Sequence, residues 1–339
     1  MRRALLQKGK LMAEFTYKVK ESDRELSIKE LLSRNFGFSS RFMTKLKQNR
    51  LIFLNGESMP GWVFPSPGDI ITVKTPEETS DFPPEDIPIA VVYEDKDLLV
   101  INKQPGVVVH PTKGKPCHTI ANGVMKKMLD EGESYKIRFV NRLDMNTSGL
   151  LIVAKNSYAQ DHLTKQMKAD HIQKKYKAIV SGIIAEDSGT IDLPLGRPDP
   201  NEVERWVMPV EEGGYPSVTH FKVLERFHEH TLVELQLETG RTHQIRIHLA
   251  YIDHPIEGDH LYCHGDPFEY RRIHGDPRPP LDGTPGPRME TNPEIVSDII
   301  DRQALHAFSL TFTHPVTGEK LHLEAPLPED MEKALDKIR

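Results

Sequence analysis

The chain has 339 residues, of which 37% are hydrophobic and 28% charged, with a formal net charge of −6. This composition fits a soluble globular protein of about two domains, or one large domain with an appendage. No apolar run approaches the roughly 20 residues of a membrane span. The basic start MRRALLQKGKLMAEF has neither the apolar core nor the cleavage site of a signal peptide. Two cysteines, Cys117 and Cys263, are too few for a disulfide framework, so a reducing, cytoplasmic setting is expected. The charge is unevenly spread. Residues 1–74 carry 14 Lys and Arg against 7 Asp and Glu, a net of +7, and the rest carry 30 against 43, a net of −13. A basic segment on an acidic body fits a small nucleic-acid-binding module, or an ordinary solvated basic surface.

Residues 1–14 read as a tail. FTYKVK, from Phe15 to Lys20, alternates as a strand. The spacing of Leu26, Ile28, Leu31 and Leu32 predicts a helix over Glu25 to Asn35, with Gly37 as its C-terminal cap. Ser39 caps a second predicted helix, Ser40 to Gln48, whose inner face is Phe42, Met43 and Leu46. Arg41, Lys45 and Lys47 are left to face outward. LIFLNGE ends in an Asn55-Gly56 hairpin turn, and PGDIITVK is a further strand. Two short helices, an Asn-Gly hairpin and the PGDIITV strand resemble the small RNA-binding module named after ribosomal protein S-four, over residues 15–75. The resemblance implies that Arg41, Lys45, Lys47 and Arg50 contact structured RNA, mainly through phosphates.

Thr75 to Pro88 is acidic and Pro-rich and reads as an extended linker between the module and a larger domain over 89–328. Ile89–Tyr93 and Leu98–Asn102 pair as a hairpin across a charged turn. His118 to Leu129 reads as a helix, as does Ser157 to Lys168. Gln173 to Ser181 is a strand, and Ser217–Arg226 with His230–Glu238 is an antiparallel pair. A polar turn at Thr239 to His243 opens a helix, Gln244 to Tyr251. Residues 264–300 are a Pro, Gly and Arg-rich excursion that includes Arg271, Arg272, Arg278 and Arg288, either functional or disordered. Gln303–Thr313 and Lys320–Ala325 are the last strands, and residues 329–339 form a short amphipathic helix.

The stretch FVNRLDMNTSGLLIVAK, Phe139 to Lys155, organises the larger domain. Its pattern is strand, polar loop over Asn141 to Gly149, then a buried strand. Asp144 therefore sits in a loop between buried strands, where a carboxylate is costly to desolvate unless paired. Arg142, Thr147 and Ser148 are the nearby candidates for that pairing. The alternative is an Asp that bonds its own backbone as a turn-former.

The 16 histidines include a loose cluster, His243, His248, His254, His260 and His264, but without the spacing of a metal site. No Gly-rich phosphate loop and no Gly-x-Ser-x-Gly elbow occurs. What remains is a set of polar stretches in strand-like sequence: RLDMNTSG, KKYKAIVSG, LETGRTHQIRIHLAYIDHPIEGD and RQALHAFSLTFTHPVTGE, with INKQPGVVVHP and LPLGRP. Together they closely resemble the RluA-type RNA pseudouridine synthases, from about residue 15 to 325.

The resemblance implies an α+β fold, with a mainly antiparallel central sheet, flanking helices and the small N-terminal module. It implies isomerisation of a uridine within RNA to pseudouridine without metal or cofactor. The catalytic Asp matches Asp144, as nucleophile or as base toward the sugar. Arg241 matches the Arg partner that orients it through a bidentate pair. Tyr176 matches the pocket Tyr, whose ring stacks on uracil and whose hydroxyl is a candidate for taking the carbon-5 proton. Leu305 matches the apolar floor of the uracil pocket, and His306 and Arg142 match positions near the substrate. Asn141 stands where the family usually has His. The implied partner is large-subunit ribosomal RNA, with transfer RNA or a non-catalytic ribosome-assembly role as alternatives, acting as a monomer away from membranes.

Overall fold

The computed structural model describes residues 14–74, 78–112, 114–198, 204–262 and 297–339. The 264–300 excursion falls outside them apart from its last four residues, so its four arginines do too.

Residues 14–74 form a four-stranded antiparallel sheet with two helices. The elements are β1 (Glu14–Lys18), α1 (Ile28–Phe36), α2 (Ser40–Gln48), β2 (Ile52–Leu54), β3 (Glu57–Ser58) and β4 (Ile70–Lys74), with sheet order β1-β4-β2-β3. Local chemistry explains the boundaries. The Ser27 hydroxyl accepts from the Glu30 N–H while the Glu30 carboxylate accepts from the Ser27 N–H, so α1 starts three residues later than its apolar spacing suggested. Gly37, at φ 64°, ends it. The Ser39 hydroxyl accepts from the Phe42 N–H and starts α2 where expected. Asn55 and Gly56, both at positive φ, make the hairpin turn.

The larger unit contains a ten-stranded sheet. Its members are β5 (Ala90–Glu94), β6 (Leu98–Lys103), β7 (Arg138–Phe139), β8 (Ser148–Ala154), β9 (Gln173–Ser181), β10 (Ser188–Asp192), β13 (Val218–Arg226), β14 (His230–Leu237), β15 (Leu305–Thr313) and β16 (Lys320–Glu324). A separate small pair, β11 (Leu195–Gly196) and β12 (Trp206–Val207), lies between β10 and β13 in the chain. The order is β10-β13-β14-β9-β15-β8-β6-β5, with β16 beside β15 and β7 beside β8. The helices are α3 (Ile120–Asp130), α4 (Ser157–Lys168), α5 (Gln244–Tyr251) and α6 (Glu329–Ile338).

The strand period of two sorts the core into two layers. Leu99 and Ile101 of β6 and Leu151 and Val153 of β8 face one layer, which α3, α5 and α6 help to close. Leu98, Val100, Leu150, Ile152 and Ala154 face the other, under α4. Every residue of β8 is buried, which is why it reads as a continuous apolar run.

Among the described residues all pairings between these strands but one are antiparallel. β15 lies parallel to β8 over only two positions, His306 opposite Ser148 and Ala307 opposite Gly149. Gly149 makes this junction possible. Its φ is 115°, and a Cβ there would lie 2.3 Å from the Ala307 carbonyl oxygen. Ser148 and Gly149 thus belong to the strand, and the polar loop is shorter than its sequence suggested. α3 likewise starts at Ile120 rather than His118, because His118 is left-handed at φ 56° and Thr119 is the cap.

The residues after 77 are extended but tied down. The Glu78 carboxylate pairs with Arg138 and with Lys45 (2.7 Å), and Ser80 accepts from the Ile137 N–H. Tyr158 of α4 completes the core of the N-terminal unit. Its ring meets Phe15 edge-on at 4.5 Å, and its hydroxyl donates to the Phe36 carbonyl. Among the described residues no helix is long and apolar enough to cross a membrane.

Candidate active site

The turn between β7 and β8 is held by two buried cations. Lys103, with no exposure, donates to the carbonyls of Gln104, Val107 and Met145 at 2.7–2.9 Å. Burial, with a contribution from Arg302, pushes its pKa down to about 7, partly offset by Asp144. Arg302 pairs with Asp330 of α6 through two nitrogens and donates to the Asn146 carbonyl at 3.0 Å. The Thr147 N–H donates to the Asp144 carbonyl at 3.2 Å, and Gln303 donates to the Thr147 hydroxyl. The turn is therefore closed by backbone and by outside partners. The Asp144 carboxylate does not cap it, contrary to the turn-former alternative.

That carboxylate enters a cleft of ≈ 1090 Å³ whose walls include Arg142, Tyr176, Arg241, His243 and Arg246. Leu305, with Tyr176, lines the adjoining pocket under Asp144. Among the described residues Asp144 has one close cationic partner, Arg246 of α5, whose Nη1 lies 3.3 Å from Oδ2. Arg246 is fixed in turn by Asp259, through two bonds of 2.6 Å. The N–H groups of Leu261 and Tyr262 also donate to Asp259. Burial opposes the guanidinium charge. Bonding to Asp259 and the charges of Asp259 and Asp144 outweigh it and hold the Arg246 pKa above the ordinary range.

His243 is the second neighbour, with Nε2 3.9 Å from Asp144 Oδ2. The Arg205 N–H donates to the Tyr262 hydroxyl, which lies 2.9 Å from His243 Nδ1. Burial lowers the His243 pKa to about 4 against the pull of Asp144, so the ring is neutral near pH 7.

Tyr176, on β9, is 8% exposed. Burial first and Asp144 second push its phenol well above the ordinary range, so it is protonated at rest.

Several expectations drawn from the residues and motifs need correction. Arg241 is not the residue that pairs with Asp144. It sits at the exposed rim, 5.5 Å over the Tyr215 ring, and donates to the Pro216 carbonyl. Arg246, five residues on, takes the position because α5 turns its first coil into the core. His306 does not face the cleft. It is fully buried on the other face of β15, where its Nδ1 accepts from Ser148 and its Nε2 donates to the Ala325 carbonyl. Ser148, through His306, and Thr147, through Gln303, are engaged elsewhere and do not pair with Asp144. Lys45 is drawn off the basic face by Glu78, while Arg41, Lys47 and Arg50 are exposed. Arg142 lines the rim, exposed, without bonding to Asp144.

Arg246, Asp259, His243 and Tyr262 are the members that sequence reasoning missed. A signal was present. Residues 244–249 are apolar or buried on every side, and a charged side chain inside such a helix requires a buried partner. The described histidines of the loose cluster each find their own partner: Tyr262 for His243, Thr219 and Leu193 for His248, Ser181 for His254 and Asp301 for His260.

Residues 97–251 match the family model described as RNA pseudouridylate synthase. The chain is 41% identical over 292 residues to the uncharacterized RNA pseudouridine synthase YlyB of Bacillus subtilis (strain 168), covering 85% of this chain and 86% of that one. It is 37% identical over 337 residues to ribosomal large subunit pseudouridine synthase D of Vibrio vulnificus (strain CMCP6), covering 96% and 95%. The human RNA pseudouridylate synthase domain containing 4 has the same fold, with a TM-score of 0.54 at 24% identity over 74% of this chain and 92% of that one. The chain belongs to the RNA pseudouridine synthases. Within them it is of the RluA type, as its motifs and its similarity to the synthases named D agree.

Proposed function

We propose that this enzyme isomerises uridines of large-subunit ribosomal RNA in the cytoplasm, with Asp144 as its catalytic carboxylate. The observation that carries the reading is the convergence on one cleft of Asp144, Arg246, Tyr176 and Leu305 from four distant parts of the chain. The Vibrio relatives named for the large ribosomal subunit support the substrate class.

The reaction breaks the bond from the ribose to ring nitrogen, turns the uracil, and forms a bond from the ribose to ring carbon-5. The carbon-5 proton leaves, and the freed nitrogen takes one up. Asp144 engages the nucleoside as nucleophile or as base toward the sugar. Arg246 complements the charge of the carboxylate and orients it. Tyr176 and Leu305 wall the uracil, and a base stacked in a helix reaches them by flipping out. The Tyr176 hydroxyl, protonated at rest, assists the late proton transfer only after passing on its own proton. Arg142 and Arg241 at the rim, with Arg41, Lys47 and Arg50 on the N-terminal unit, contact phosphates. One chain supplies every group, so a monomer suffices.

The test is Asp144→Asn, assayed by tritium release from carbon-5-labelled large-subunit RNA. Loss of product with RNA binding retained is expected, and undiminished product would sink the assignment. Tyr176→Phe separates ring from hydroxyl, with slower turnover and nearly unchanged RNA affinity expected.

A further inference from the structure

The N-terminal unit displays two aromatic rings to solvent. Trp62 is 70% exposed and Phe64 is 64% exposed, while Val63 between them packs inward onto the core. Neither exposed ring has an aromatic partner among the described residues. Their backbone is nevertheless firmly held. The Lys29 N–H donates to the Gly61 carbonyl at 2.8 Å, and the Ile28 N–H donates to the Val63 carbonyl at 2.9 Å. These two bonds satisfy N–H groups in the first turn of α1 that the helix itself leaves free. Gly61 also lies against α2, where a Cβ would be 3.7 Å from Met43 Cε and 3.5 Å from Lys29 Cβ. The rings are thus presented on a segment clamped between two helices.

Exposed lysines stand on both helices that hold the segment. Lys29 is exposed beside Gly61. Lys47, also exposed, stands one helical turn beyond Met43 on α2. Glu30, the nearest acid on α1, is engaged in the Ser27 cap. Exposed rings on a segment whose two supporting helices carry exposed lysines match the chemistry of unpaired nucleic acid, in which bases stack on aromatics and phosphates meet cations. A protein partner or a second copy would call for a wider apolar patch without the flanking charge.

We propose that Trp62 and Phe64 form a stacking platform for unpaired bases of the RNA substrate, with Lys29 and Lys47 holding the adjoining phosphates. This rests on the reading of the chain as an enzyme of structured ribosomal RNA.

The chain has two tryptophans, Trp62 and Trp206, so Trp206→Phe leaves Trp62 as the sole indole reporter. Titration of that protein with a single-stranded oligouridylate should quench its emission, and a duplex of equal length should quench it less. Trp62→Ala and Phe64→Ala should each weaken oligouridylate binding roughly tenfold, without altering the slope of log affinity against log salt. Lys47→Ala should instead reduce that slope by about 0.7. Binding without quenching would overturn the proposal. So would an affinity loss matched by a fall in melting temperature. An emission that depends on protein concentration, or that shifts when residues 1–13 are removed without RNA, would also overturn it, by making another copy or that segment the occupant. If the unmodified enzyme makes no pseudouridine in ribosomal RNA, the reading of function fails. If it does, and the Trp62 and Phe64 variants bind as it does, only the stacking platform fails.

Discussion

Replacing Arg246 with methionine removes the cation that stands between Asp144 and Asp259, and the two losses can be separated. Asp259 has no side-chain exposure and receives two 2.6 Å bonds from Arg246. The N–H groups of Leu261 and Tyr262 remain to it, but its charge is left unpaired. Removing one partner of a buried pair costs about 3–5 kcal/mol. At about 2–4 °C per kcal/mol for a unit of this size, the melting temperature should fall by roughly 10 °C. Asp144 also loses its close cationic partner at 3.3 Å. Removal of a preorganised electrostatic group lowers turnover about 10²- to 10³-fold. The double variant Arg246→Met, Asp259→Leu takes the stranded carboxylate away and should recover most of the stability, since an apolar replacement of a buried pair is often neutral. Its turnover should stay low, because Asp144 still lacks its partner. The assays are thermal unfolding and tritium release at saturating RNA, below the lowest melting temperature. Activity that returns with stability in the double variant would show that Arg246 acts through the fold alone. A single variant that loses less than about 1 kcal/mol would refute the buried pairing itself.

Three further outcomes follow from the same geometry. Gly149→Ala should destabilise the enzyme by more than about 4 kcal/mol, as a left-handed residue and a backbone collision coincide at the β8–β15 junction, and denaturant unfolding should show it. Lys103→Met should lower turnover more than RNA affinity by freeing the Met145 carbonyl beside Asp144, and equal losses in both would argue against a positioning role. His248 and His306 are each lowered to about 4, mainly by burial. The unfolded chain takes protons near 6.5 that the fold refuses, so their contribution is complete above about pH 6.5 and is lost as pH falls toward 4. The urea midpoint should therefore drop between pH 7.5 and pH 5, and a constant midpoint would contradict the burial of these rings.

Much of the architecture is written locally. α2, α4, α5 and β9 run over the residues that capping and periodicity indicate, because a Ser at an N-cap or an apolar period of two acts within a few residues. Asp144 is recognisable for a related reason: a carboxylate in a short polar loop between buried strands needs a partner. The partner itself is not recognisable. Arg241 and Arg246 stand five residues apart in GRTHQIR, and nothing in that spacing says which one reaches a loop about a hundred residues earlier. His243, left-handed at φ 58°, precedes α5, whose first coil is packed into the core. That packing sends Arg246 to Asp144 and Asp259 and leaves Arg241 at the rim. His306 turns away from the cleft because β15 meets β8 in parallel at a glycine, and Lys45 turns to Glu78 because the chain after 77 folds back onto the sheet. The elements, the family motifs and the cleft carboxylate Asp144 are thus legible in the order of residues. Which charges that carboxylate meets is settled only when the chain packs, since pairing between distant segments depends on directions that no local spacing encodes.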